Sequence, residues 1–159
     1  MLVSRKSLSG RVFALLVFLQ AALIVTGGAV RVTGSGLGCP TWPECTPGSY
    51  TPVPGQAEGA LHAWIEFGNR LLTFVLLITA LAAVILSIKY SKNKLNKIRI
   101  RTLALLQILG ILGQGVLGGI TVLTDLHPLP VAGHFLLSIF LISGAISLRY
   151  RSEEHTSEL

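Results

Sequence analysis

Four apolar runs, each about as long as a bilayer crossing, leave this chain few folds. The first extends from Val12 to Val30 and is broken only by Gln20, Thr26, Gly27 and Gly28. The second enters at Ala60 and is almost wholly apolar from Leu71 to Ile88, the third covers 102–124 and the fourth 131–148. About 20 apolar residues span the hydrocarbon core as a helix, because a helix satisfies its own backbone there. A soluble bundle would need charged outer faces, and these runs have none. With 51% hydrophobic and 13% charged residues, the expected fold class is all-α, a polytopic bundle of four transmembrane helices at 12–30, 60–88, 102–124 and 131–148.

The charges orient the runs. Arg5, Lys6 and Arg11 precede the first, and Arg149 and Arg151 follow the fourth. The segment 89–101, KYSKNKLNKIRIR, has six basic and no acidic residues and reads as a loop between the second and third. The positive-inside rule then puts both termini and this loop in the cytoplasm, with the chain in the plasma membrane. Only Arg31 and Arg70 break the pattern, both beside the outer interface. The net charge of +6 therefore answers to membrane topology and not to nucleic acid. A secretory signal peptide is the rival for the first run, with Gly27–Ala29 as the small residues before a cut; the length of the run and the spans that follow favour a helix.

Residues 31–59 form an extracytoplasmic loop in which glycines and Pro40, Pro43, Pro47, Pro52 and Pro54 forbid a long helix. In that oxidising compartment Cys39 and Cys45 are candidates for a disulfide; the rivals are a metal pair or two free thiols. The third run holds Gly110, Gly113, Gly115, Gly118 and Gly119. So much glycine lets a neighbouring helix approach closely or leaves room for a flat ligand. The acidic end 151–159, RSEEHTSEL, departs from this pattern and looks like translated sequencing adapter. It is read as a non-native tail on a four-helix domain of residues 1–150, and His155 is set aside with it.

Ionisable groups concentrate where the second run begins, in LHAWIEFGNR at 61–70. Spacings of four and seven put His62, Glu66 and Asn69 on one helical face, with Arg70 beside them. The plain interpretation is a wet interfacial stripe with Trp64 as its anchor. The functional one is a site, since polar groups entering a membrane are costly. His134 lies one turn inside the fourth run, which crosses in the same direction as the second, so topology brings His62 and His134 to similar depth. Two imidazoles from facing helices are what a six-coordinate haem iron needs. Arg31 or Arg70 would suit haem propionates.

The segments VRVTGSGLGCPTWPEC, LHAWIEFGNRLLT and GQGVLGGITVLTDLHP with the following AGHF together resemble haem A synthase of the actinobacterial form, over essentially residues 10–150. The resemblance implies an eight-helix membrane oxidoreductase of two similar halves, of which this chain corresponds to the first. It implies oxidation of the C8 methyl of haem O to a formyl group, giving haem A for terminal oxidases. Substrate haem O would sit in this half and haem b in the other, so the chain alone is expected to be inactive. Partners implied are membrane lipid, an electron donor, and haem O synthase or a second copy of the chain.

Residue by residue, Glu66 matches the family's catalytic glutamate, Arg70 its arginine, His134 the fourth-helix haem ligand, and Cys39 and Cys45 its loop pair. One position departs: Asn69 stands where many relatives carry the second-helix ligand, and an amide is a poor iron ligand. Either His62 takes that role or one protein ligand remains, and the shift moves the ligand by roughly 10 Å along the helix. Glu66→Ala is expected to spare folding and abolish product. Two other functions fit the spans: a b-type cytochrome subunit, which needs no Glu66, and a membrane scaffold or transporter half without haem.

Overall fold

The computed structural model describes residues 2–57, 59–89 and 94–157. Among the described residues four helices carry the fold: α1 (Leu2–Val32), α2 (Ala60–Lys89), α3 (Lys94–Leu123) and α4 (Pro128–Ser157), with a 3-10 turn at Ser35–Leu37 after α1. Each helix contains a stretch long and apolar enough to cross a membrane. Phe18, Phe74 and Phe140 are 66%, 62% and 73% exposed on the flanks of the bundle. Water would penalise so much exposed apolar surface, whereas lipid solvates it. The chain is an all-helical, multi-pass membrane bundle.

Sequential helices pack side by side and α4 returns to α1, so α2 and α4 occupy opposite corners of a square. The core is thin: Phe13, Leu16 and Leu19 of α1 meet Leu76, Ala80 and Ala83 of α2, Ile100, Ala104 and Ile111 of α3, and Ala145 and Leu148 of α4. Small residues let the backbones approach. Gly110 faces the Leu141 side chain, and Gly144 faces the Gln107 amide, 2.8 Å from where a Cβ would stand. That amide donates to the Leu141 carbonyl at 3.0 Å and accepts from Gln20 at 3.0 Å, tying α1, α3 and α4 inside the bundle.

The helices are longer than the apolar runs. The basic segment expected as a loop from 89 to 101 is largely helical, since α3 starts at Lys94. Ile98 and Ile100 alternate with Arg99 and Arg101 there, and the bundle buries Ile100 while both arginines stay exposed. Residues 90–93 of that segment lie outside the described residues. At the other end, α4 continues past the expected limit of 148, with an Arg149–Glu153 pair of 2.9 Å one turn apart, into the segment read as tail; the side chain of His155 lies outside the described residues.

The turn between α3 and α4 is closed by Asp125 and Leu126, with φ of 52° and 59°. Leu126 donates its N–H to the Thr121 carbonyl at 2.8 Å and Asp125 to that of Val122 at 3.1 Å, satisfying the last carbonyls of α3. A left-handed leucine is costly. Its side chain seats on Gly36, where a Cβ would come within 2.9 Å of it, and so pins the long loop to this turn.

Candidate functional site at the loop end of the bundle

The loop is a disulfide-closed cap bolted to α2. Cys39 and Cys45 are joined and fully buried, the pairing expected among the three alternatives. Glu66 and Arg70, one turn apart on α2, grip both backbone groups of Cys39. The Cys39 N–H donates to Glu66 Oε2 at 2.8 Å, and Arg70 Nη2 donates to the Cys39 carbonyl at 2.8 Å. The same guanidinium reaches the carbonyls of Thr41 and Glu44, both at 3.1 Å, and pairs with Glu66 Oε1 at 2.6 Å. Gln56 donates to the Gly38 carbonyl at 2.9 Å.

Gly38 itself must be glycine. A Cβ there would lie 2.5 Å from the carbonyl carbon and oxygen of His62. On the far side of the cap, the Trp42 indole rests on Gly119 of α3, within 2.6 Å of the corresponding Cβ position. The cap thus bridges α2 and α3 over one end of the bundle.

The sequence-derived stripe divides. Glu66 and Asn69 are about 60° apart around a helix of 3.6 residues per turn. Glu66 turns to the cap and is 6% exposed. Asn69 turns to α1, where Thr26 donates to its Oδ1 at 2.7 Å beside an open groove of about 280 Å³ between α1 and α2. Glu66, Arg70, Cys39 and Cys45 are therefore one unit, and Asn69 is not part of it. Both oxygens of Glu66 are engaged, so Glu66→Ala removes contacts that dock the cap as well as the carboxylate.

The histidines stand apart from that unit. His62 lies in the first turn of α2, beneath the cap, and its Nδ1 is buried without a hydrogen-bond partner. His134 lies in the second turn of α4, with its ring against Gly118 of α3, 3.4 Å from where a Cβ would stand. Its Nδ1 is likewise buried and unpartnered. Gln114 of α3 donates to the His134 carbonyl at 3.0 Å and to Ser138 Oγ at 2.5 Å. Sequence reasoning passed over Gln107 and Gln114. The signal was present, because an amide in the middle of an apolar run is an anomaly in a membrane helix.

A polar atom that is buried and unpaired is expensive. His62 and His134 each carry one such atom, and they stand on opposite corners of one end of the bundle. Two imidazoles on separate helices are a donor set of the kind a haem iron takes. Among the described residues no three His, Cys, Asp or Glu side chains converge as a bare-metal centre.

Comparison with known proteins agrees. Residues 10–158 match the family described as COX15-CtaA, cytochrome oxidase assembly protein. The chain is 30% identical over 105 residues to the heme A synthases of Geobacillus thermodenitrificans and Geobacillus kaustophilus, covering 66% of this chain and 30% of each relative. It is 33% identical over 72 residues to the heme A synthase of Bacillus cereus, covering 45% of this chain and 21% of the relative. No solved structure matches the chain. The matched stretch thus spans less than a third of these relatives' length, while the family match covers nearly the whole of this chain: the chain belongs to the COX15-CtaA family of cytochrome oxidase assembly proteins.

Proposed function

We propose that this chain forms the haem O site of a haem A-forming enzyme, in which the C8 methyl of haem O becomes a formyl group. The observation that carries the reading is the placement of His62 and His134 on α2 and α4 at one end of the bundle, each half-buried with an Nδ1 that has no hydrogen-bond partner. His134 would hold the haem iron through Nε2, and His62 would do so in place of Asn69. Bound haem would supply a redox iron, while the four electrons removed in turning methyl into formyl and the oxygen atom gained would need an external oxidant and oxygen donor, such as dioxygen or water with an electron acceptor.

The chain's own residues hold and dry the substrate. The cap, held by Glu66 and Arg70, covers the end where the histidines lie and excludes water. Glu66 is the group proposed to accept or return protons as the methyl is oxidised, and a proton arriving there competes with its contacts to Cys39 and Arg70. Arg70 is committed to cap carbonyls, so Arg31, exposed in the last turn of α1, is the better partner for a propionate.

In this reading the N-terminus lies in the cytoplasm of a plasma membrane and the cap outside. A second four-helix half carries haem b and receives electrons from a separate donor, with haem O synthase or a second copy of the chain alongside. The test is conversion: haem O is supplied to membranes holding this chain with its second half, and extracted haem is assayed for the formyl product. The wild type is expected to form it, and Glu66→Ala to lose it by at least 100-fold, about the lower range for removing a proton-transfer group. Unchanged product from Glu66→Ala would remove Glu66 from the chemistry.

A further inference from the structure

We propose that Gln114 is the positioning residue for His134, its amide oxygen accepting the Nδ1–H of the imidazole so that Nε2 is free to bind iron. The inference rests on the reading of His134 as a haem ligand and adds a residue that reading does not require.

The argument begins with the direction of the Gln114 amide. Its nitrogen lies 3.0 Å from the main-chain carbonyl of His134 and 2.5 Å from Ser138 Oγ. A carbonyl only accepts, so the atom facing it must be the NH2 and not the oxygen. Ser138 Oγ in turn donates to the same His134 carbonyl at 3.0 Å. The hydroxyl hydrogen is thereby used, and its lone pairs face the Gln114 amide. Two contacts on α4 therefore fix which end of the amide is the acceptor.

That acceptor, Gln114 Oε1, is buried and has no partner. His134 Nδ1 is buried and has no partner either. The two residues already touch through the His134 carbonyl, and the imidazole packs on Gly118, one turn along α3 from Gln114 on the same face. One orphan is an acceptor. The other becomes a donor in the tautomer whose Nε2 carries the lone pair. Each atom lacks what the other supplies, and each would otherwise be costly to bury. The two atoms share no hydrogen bond in this structure, so the proposed pair forms by a side-chain rotation when the ring is drawn to a ligand. Ligating histidines ordinarily donate their second N–H to an acceptor of this kind, which fixes the tautomer and raises ligand basicity.

His62 is the internal contrast. Its Nδ1 is also buried and unpartnered, but among the described residues the one buried amide oxygen left open is Gln114 Oε1, whose amide contacts α4 at His134. Gln114 thus makes the two imidazoles unequal, with His134 the stronger ligand.

The experiment uses the 159-residue chain in lipid nanodiscs, loaded with haem O, as wild type, Gln114→Glu and Gln114→Leu, with His134→Ala as the ligation control. Redox titration followed in the visible spectrum reads the midpoint potential, and circular dichroism confirms helix content in each variant. A stronger acceptor makes the imidazole more electron-rich and favours ferric iron. The midpoint is therefore expected to fall in the order Leu, Gln, Glu, and Gln114→Leu is expected to retain haem about 10- to 100-fold less tightly. Packing alone predicts no such order, because Glu and Gln have nearly the same shape. If His134→Ala loses the haem but the three midpoints coincide, the positioning role is overturned and the haem site stands. If the wild type takes up no haem, or His134→Ala keeps it, the haem site and this role fall together.

Discussion

Arg70→Ala is expected to release the disulfide cap from the bundle while leaving the four helices formed. The substitution strips donors from the carbonyls of Cys39, Thr41 and Glu44 and leaves Glu66 without its cation. The Glu66 side chain is 7% exposed, so it would be a nearly buried carboxylate held by one remaining N–H. Breaking a buried pair from one side costs about 3 to 5 kcal/mol. Arg70 keeps 21% exposure, which places this case near the lower bound, about 3 kcal/mol. What then holds the cap to the bundle is the Cys39 N–H on Glu66 and the packing of Trp42 on Gly119 and of Leu126 on Gly36, and a neutral hydrogen bond contributes only about 1 kcal/mol. Limited proteolysis reads the result: segment 47–57 is cut much faster in the variant, and helix content is unchanged. Arg70→Lys recovers only part of the protection, because an ammonium cannot span the carbonyls that the planar fork reaches. Equal protection in Arg70→Ala and wild type would mean that the cap is held by other contacts.

His134→Gly is expected to abolish tight haem binding, and free imidazole to restore it. The imidazole packs against Gly118, so its removal leaves a space at that glycine bounded by Gln114 and Ser138. An added imidazole can occupy that space and offer iron the same nitrogen. Loss of one of two axial ligands leaves haem five-coordinate or unbound, and rescue distinguishes missing ligation from a misfolded bundle. Haem titration with and without imidazole makes the measurement. Haem uptake by His134→Gly at wild-type affinity would remove His134 from the site.

Much of the fold could be read from the sequence because membrane helices announce themselves locally. Apolar length alone locates four crossings, and the prolines and glycines of 33–57 exclude a fifth helix. Helix ends were not readable in the same way. Apolarity marks where lipid begins, whereas the helix continues into the basic segment because Ile100 still finds core.

The site was legible in part. The sequence places Arg70 beside the stripe of His62, Glu66 and Asn69, and in the structure Arg70 pairs with Glu66 one turn away. That their shared object is the Cys39 backbone depends on how a loop some thirty residues away folds back, which no local pattern encodes. Asn69 shows the limit of face arguments: a broad stripe of three residues is divided by whichever neighbours arrive, here the cap and Thr26 of α1. Gln114 was missed because attention went to residues that ligate, and its role follows from a partner on the next helix.

The most direct test of the account is the reduced-minus-oxidised absorption spectrum of the purified chain with haem O, for wild type, His62→Ala and His134→Ala. The account predicts a low-spin, six-coordinate haem in the wild type. His62→Ala should leave it high-spin, held by His134 alone, and His134→Ala should lose it. A low-spin spectrum that survives unchanged in both variants would contradict the account, because iron would then be bound by groups other than the two imidazoles on α2 and α4.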